Sequence, residues 1–206
     1  MTMKISIPKE QLSTLARVTF QGNIHVIDDI QGVNKAISKL QEYKILGFDT
    51  ETRPSFKKGV VHSVALMQIS TEQDCYLFRI NKIGMPDALK SFLENPSVTK
   101  VGLSLKDDFG MIHKVSEANM SGFIDLQKIV PDYGIADASL QKIYAILFDK
   151  RISKGQRLTN WEADNLTEAQ KEYAAIDAWA CLKIYNHLSA HLFDPQKSKY
   201  IVNEEN

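Results

Sequence analysis

The chain has 206 residues, 44% of them hydrophobic and 24% charged, and its 25 basic and 25 acidic side chains cancel to a net charge of zero. That length suits one ordinary domain or two small ones, and the apolar fraction supports a real core. Zero net charge excludes a global field drawing the protein onto nucleic acid or membrane, so any such binding needs a local patch. Cys75 and Cys181 lack metal-ligand spacing and read as buried thiols of a reducing compartment. No apolar run approaches the ~18 residues of a membrane span, and residues 1–10 lack the apolar core of a signal peptide. The expectation is a cytoplasmic protein, or a nuclear one if the source has a nucleus.

In chain order, residues 8–15 predict a short leading helix and residues 23–27 a strand. Asp28 or Asp29 caps a helix whose apolar positions are Val33, Ala36, Ile37 and Leu40. Residues 44–51 form a strand, residues 53–59 a basic loop that includes Lys57 and Lys58, and residues 60–69 and 75–78 two further strands. His62, alone beside a loop, reads as a solvated or hydrogen-bonded side chain before it reads as a ligand. A helix over 86–94, a strand over 100–105, a helix capped by Asp107 or Asp108, and a strand-like segment at 123–126 follow. Ser139 caps a helix through Leu140, Ile143, Tyr144 and Leu147. Thr167 and Gln170 form a capping box for the longest helix, about 167–191, with a stripe of Tyr173, Ile176, Ala180, Ile184 and Leu188. The polar tail from Asp194 is expected to fray. No internal repeat or low-complexity linker divides the chain. The expected organisation is an extension over 1–22, one domain over 23–192 and a tail over 193–206.

The strand at 44–51 carries the chemistry. Its apolar run ends in Asp49 and Glu51, which point to one face because side chains alternate with period two. At ~4 Å and an effective dielectric of ~20, two such charges repel by about 4 kcal/mol. A cation between them removes that cost, and paired carboxylates on a rigid strand suit Mg²⁺ or Mn²⁺. The competing interpretation is a strand running into an exposed polar turn. Tyr173 and Asp177, four apart, share a face of the last helix.

An acidic pair on a strand, a third acid after a later strand, and Tyr-x-x-x-Asp on a C-terminal helix resemble the DEDD superfamily of 3′–5′ exonucleases in its Tyr variant. The His variant carries its His five residues before the last Asp, where this chain has Glu172. Residues 48–59, from Phe48 through Asp49, Glu51 and Arg53 to Gly59, resemble the first motif of Werner-type exonuclease domains. Residues 157–167 and 173–179, including Trp161, Tyr173, Asp177 and Trp179, resemble the last motif of that group and of ribonuclease D. Residues 101–108 fit the middle motif and align Asp108, rather than Asp107, with the third acid. The resemblance spans about residues 24–190. Thr52 departs from it, since many relatives place Trp after the first-motif Glu, and the chain has no helicase and no room for the accessory helical domain of ribonuclease D.

The resemblance implies an α/β ribonuclease H-like exonuclease fold with a mixed central β-sheet flanked by helices. It implies two-metal phosphodiester hydrolysis from the 3′ end of DNA or RNA, releasing nucleoside 5′-monophosphates. Asp49, Glu51 and Asp177 would hold the cation that activates water. Asp49 would bridge to the second, which Asp108 would also hold, through water, and Tyr173 would orient the attacking water; the two ions would be Mg or Mn. For phosphate contacts the candidates are Lys150, Arg151, Lys154 and Arg157, whose loop leads into the last motif, with Lys57 and Lys58. A charge run of this kind is also an ordinary solvated loop. Leu66, Met67 and Phe109 fit terminal bases or the core. The alternatives are a catalytically inactive nucleic-acid-binding protein on the same fold, and a metal hydrolase acting on small phosphoesters.

Overall fold

The computed structural model describes residues 4–57 and 59–202. Its centre is a six-stranded mixed sheet in the order β2 (Asn23–Ile27), β5 (Asp74–Phe78), β4 (Val64–Ser70), β3 (Ile45–Thr52), β6 (Thr99–Gly102), β7 (Phe123–Asp125). β4 runs antiparallel to β3 and β5, and the remaining pairs are parallel. A second, parallel ribbon joins β1 (Ala16–Arg17) to β8 (Lys150–Arg151). The helices are α1 (Lys9–Thr14), α2 (Ile30–Leu40), α3 (Ile80–Ile83), α4 (Asp87–Glu94), α5 (Leu105–Ile112), α6 (Leu140–Phe148) and α7 (Glu168–Ser189). This is the α/β arrangement expected, a mixed sheet flanked by helices.

Alternation along the strands divides the core into two layers. Leu46 and Phe48 of β3 and Met67 and Ile69 of β4 pack against α2, α4 and α5. Leu66 of β4 and Cys75 and Leu77 of β5 pack on the other side with Trp161, Tyr173 and Ala174. Small residues let α7 lie directly on β3: a Cβ at Gly47 would collide with the Ala178 carbonyl. That close approach brings Asp177, one residue earlier on the helix, over the acidic end of β3. The helix start is fixed by the Thr167–Gln170 capping box, present with both of its bonds. Asp29 caps α2, its carboxylate accepting from the Gly32 N–H at 2.6 Å.

Four expectations need correction. The strand at 60–69 begins at Val64, because β3 ends at Thr52 opposite Val64 and nothing remains for residues 60–63 to pair with. Neither Asp107 nor Asp108 caps α5, which begins earlier. Ser104 occupies the N-cap in the left-handed region, and the Asp125 carboxylate at the end of β7 accepts from the Ser104 and Leu105 N–H groups at 3.0 and 3.1 Å. Ser139 holds the N-cap position of α6 without a side-chain bond. The tail does not fray over 195–202. Ser6 donates its N–H to the Tyr200 carbonyl at 3.0 Å, Val202 to Lys4 at 2.8 Å, and Ile5 and Tyr200 are buried. Residues 203–206 lie outside those described.

Candidate active site

The sheet and α7 bring three of the predicted acids together. Asp49 and Glu51 project from β3 and Asp177 from α7, each offering a carboxylate oxygen within 4.8 Å of the others. Glu51 and Asp177 are only 9% and 8% exposed. Between Glu51 and Thr52 the β3–β4 register shifts by a bulge, a device that re-aims side chains at the rim of a sheet. Asp108 approaches from α5 and stands outside this triad. It accepts a hydrogen bond from the Thr50 hydroxyl, and its charge acts on Asp49. Asp107 is exposed on the same turn, so of the two candidates Asp108 is the one that faces the cluster.

Burial pushes all four carboxyls upward, and repulsion from the other acids of the cluster adds to it at Asp49 and Glu51. Desolvation raises Asp49 well above the usual carboxylate range, reinforced by the charges of Asp108, Asp177 and Glu51. Glu51 is pushed up to about 9 by burial and by Asp177 and Asp108, against the pull of Arg157. Burial lifts Asp177 to about 7, opposed by the Tyr173 hydroxyl facing it, and Asp108 to about 6, opposed by its bond from Thr50. Tyr173, 9% exposed, is raised by burial and then by Asp177 and Glu51. It therefore stays a neutral phenol at working pH.

Oxygen donors alone, densely placed and mutually repelling, fit a hard divalent cation. A pH dependence follows. Each acid binds its proton more tightly folded than unfolded, so the stability it contributes is complete below the unfolded value near 4 and is lost as pH rises through the folded value. For the cation-free protein that loss extends toward about pH 9, where Glu51 titrates. The melting temperature is therefore expected to fall between pH 5 and 8. Mn²⁺ or Mg²⁺ at a hundred times its dissociation constant should restore about 2.7 kcal/mol, or roughly 5–11 °C at this chain length. Thermal melts across pH, with and without each cation, check both; a flat profile with no cation effect counts against a metal site.

The loop before α7 is fastened to the site by side chains whose role was not read from the sequence. Glu162 takes Arg53 at 3.1 Å and His62 at 3.2 Å, tying the segment after β3 and the segment before β4 to the same carboxylate. The buried Arg79 donates to the Ala163 and Asp164 carbonyls, and Gln170 reaches back to the Thr159 hydroxyl at 3.0 Å. His62 is thus held against the Glu162 carboxylate in this structure.

The basic candidates separate. Arg157 lies near enough to Glu51 to lower its pKa. Lys57 and Lys154 are exposed, and Lys58 falls outside the described residues. Arg151 donates its Nε–H to the Leu15 carbonyl at 2.9 Å. Lys150 lines a cavity of about 490 Å³ with Phe20, Glu72, Trp179 and Lys183, beside the β4–β5 turn, which follows the end of β4 that pairs with Gly47 rather than with Glu51. Leu66 and Met67 are fully buried, which leaves them to the core, and Phe109 packs against Phe123. Large apolar side chains do stand free on the loops beside the acids: Phe56 is 83% exposed, Val61 66% and Leu158 64%.

A carboxylate cluster able to hold a metal ion lies at the mouth of a mixed sheet, crossed by a helix carrying Tyr and Asp, on a ribonuclease H-like exonuclease fold. The chain belongs to the 3′–5′ exonuclease family, whose sequence model matches residues 24–192. It is 33% identical over 156 residues to the mouse bifunctional 3′–5′ exonuclease/ATP-dependent helicase WRN, covering 73% of this chain and 11% of that protein. It is 36% identical over 152 residues to a 3′–5′ exonuclease of Arabidopsis thaliana, covering 69% of this chain and 52% of that one. The chain thus spans about half or less of these relatives. The crystal structure of Escherichia coli RNase D, an exoribonuclease involved in structured RNA processing, superposes with a TM-score of 0.74 at 23% identity, covering 82% of this chain and 44% of that one. No helix among the described residues is long and apolar enough to cross a membrane.

Proposed function

We propose that this protein is an active 3′–5′ exonuclease of the Tyr type, hydrolysing DNA or RNA from a free 3′ end and releasing nucleoside 5′-monophosphates with two divalent ions, Mg or Mn. The observation that carries this reading is the triad of Asp49, Glu51 and Asp177 gathered within 4.8 Å. A cation held there supplies Lewis acidity, lowering the pKa of water and offsetting charge on the phosphate. Asp49, Glu51 and Asp177 are assigned to the ions. Asp108 supports Asp49 from the side, its orientation set by Thr50. Tyr173 stays protonated and orients the attacking water by its hydroxyl. The catalytic unit is assigned to residues 23–192, with 1–22 and 193–206 as flanking segments.

Arg157, beside Glu51, is assigned the phosphate contact nearest the chemistry, with Lys57 and Lys154 as further contacts and Lys150 and Arg151 more distant; Lys58, outside the described residues, stays a candidate from the sequence alone. Arg157→Ala is expected to weaken binding and flatten its salt dependence by about 0.7 in log–log slope, the share of one single-strand phosphate. Lys150→Ala should leave that slope nearly intact. Equal slopes for both variants in a fluorescence titration would return Arg157 to the solvated-loop interpretation. Chromatography of products from a 3′-tailed oligomer tests the activity: nucleoside 5′-monophosphates are expected. Turnover of simple phosphoesters without release from the oligomer would instead favour a small-molecule hydrolase.

A further inference from the structure

Gln68 lies in the α7 layer, and the site as described so far makes no use of its carboxamide. It sits in the middle of β4, fully buried, and neither its carboxamide nitrogen nor its oxygen has a hydrogen-bond partner among the described residues. Buried amides are bonded in nearly all folded proteins, so a fully orphaned one requires a reason. The sheet register supplies it. Gln68 lies directly opposite Asp49 in the antiparallel β3–β4 pair, where facing side chains share a side of the sheet with their Cβ atoms roughly 4.5–5.5 Å apart. On its other flank it faces Leu77, which offers nothing polar.

The hydroxyl and thiols of this layer do not compete for the amide N–H, and the buried Trp161 Nε1–H, also without a partner, is a donor and cannot accept it. The Ser70 hydroxyl already donates to the Thr71 carbonyl at 2.8 Å. The thiols of Cys75 and Cys181 are buried, with pKa values pushed up by that burial and by Asp49, so they stay protonated and are weak acceptors. Asp49 is the acceptor in line. We infer that Gln68 is a positioning residue for Asp49: its carboxamide N–H engages the carboxylate when Asp49 turns to hold a divalent cation, fixing the direction in which the remaining lone pairs point. Outer partners of this kind orient metal-binding carboxylates and are worth roughly 10–100-fold in metal affinity. The inference rests on the metal-dependent reading of the site given above.

Gln68→Met separates this role from space filling, because it keeps the length and volume and removes only the amide. A filler amide without partners would be replaced at no cost to the core, and its loss would leave the acids untouched. The expected result, by calorimetric titration of Mn²⁺ into the otherwise intact protein, is about 10–100-fold weaker binding in a variant whose cation-free melting temperature is not lowered. Wild-type protein that binds no Mn²⁺ would overturn the metal reading itself. Wild type that binds it, with Gln68→Met binding equally well, would overturn only the positioning role. Should Gln68→Met fail to fold, the side-chain amide resonance of Gln68 in wild type decides. Slower hydrogen exchange of that carboxamide on addition of Mg²⁺ supports the inference, and unchanged exchange and shift refute it.

Discussion

Asp49→Asn is expected to lower cleavage by more than about a hundredfold while leaving the fold intact. Asp49 is the member of the cluster on which the charges of all three other acids act, which places it where a shared cation gains most from its charge. Asparagine keeps the shape and one oxygen but supplies no net charge. The electrostatic contribution of a bound metal is several kcal/mol, and each 1.36 kcal/mol is about tenfold in rate. The same substitution removes a buried, repelled carboxyl, so the cation-free variant should melt above wild type at pH 8, where more of the cluster is ionised than at pH 5. Single-turnover cleavage and thermal melts measure the two effects. Residual activity above about a hundredth of wild type would refute the assignment of Asp49 to the metals.

The next largest effects separate two residues on one face of α7. Asp177→Asn should abolish turnover nearly as completely and weaken Mn²⁺ binding as well, since it strips the triad of one of its three carboxylates. Tyr173→Phe deletes a single hydroxyl and keeps the ring that packs near Trp161 at a centroid distance of 6.0 Å. Groups that move a proton contribute typically 10²–10⁴-fold. Tyr173, neutral and orienting only, belongs in the lower part of that range or below it, so about 10–10³-fold is expected with Mn²⁺ affinity unchanged. A metal titration of single-turnover rates distinguishes them. Wild-type rates in Tyr173→Phe would make the Tyr a core residue and remove the Tyr-type assignment, whatever the acids prove to do.

Much of this site was legible because its determinants are local. Asp49 and Glu51 share a face by strand alternation, Tyr173 and Asp177 by helical spacing, and the capping box fixes the start of α7 from Thr167 and Gln170 alone. The strand Asn23–Ile27 was read with its observed bounds. What could not be read depends on contacts between distant segments. Asp125 caps α5 from 20 residues away, visible only once β6 and β7 pair. Lys100 looks like a polar strand end, yet it is fully buried and donates to the Asn95 carbonyl at 2.8 Å. The tail looks polar, yet Tyr200 closes over the core and donates to Asp149 at 2.7 Å. The basic run at 150–157 looks like one patch in sequence, but β8 turns Arg151 toward Leu15 while Arg157 continues to Glu51. Thr50 was passed over because alternation turns it away from Asp49 and Glu51; that same geometry delivers its hydroxyl to Asp108.

Asp49, Glu51 and Asp177 are expected to cut nucleic acid stepwise from its 3′ end. This is tested most directly with 5′-labelled single-stranded DNA and RNA oligomers, incubated with Mn²⁺ and with wild type and Asp49→Asn side by side. Wild type is expected to give a ladder shortening one nucleotide at a time from the 3′ end, lost when the cation is chelated and lost in the variant. Internal cuts, a ladder of equal strength in Asp49→Asn, or binding of both oligomers by wild type without any shortening would contradict it.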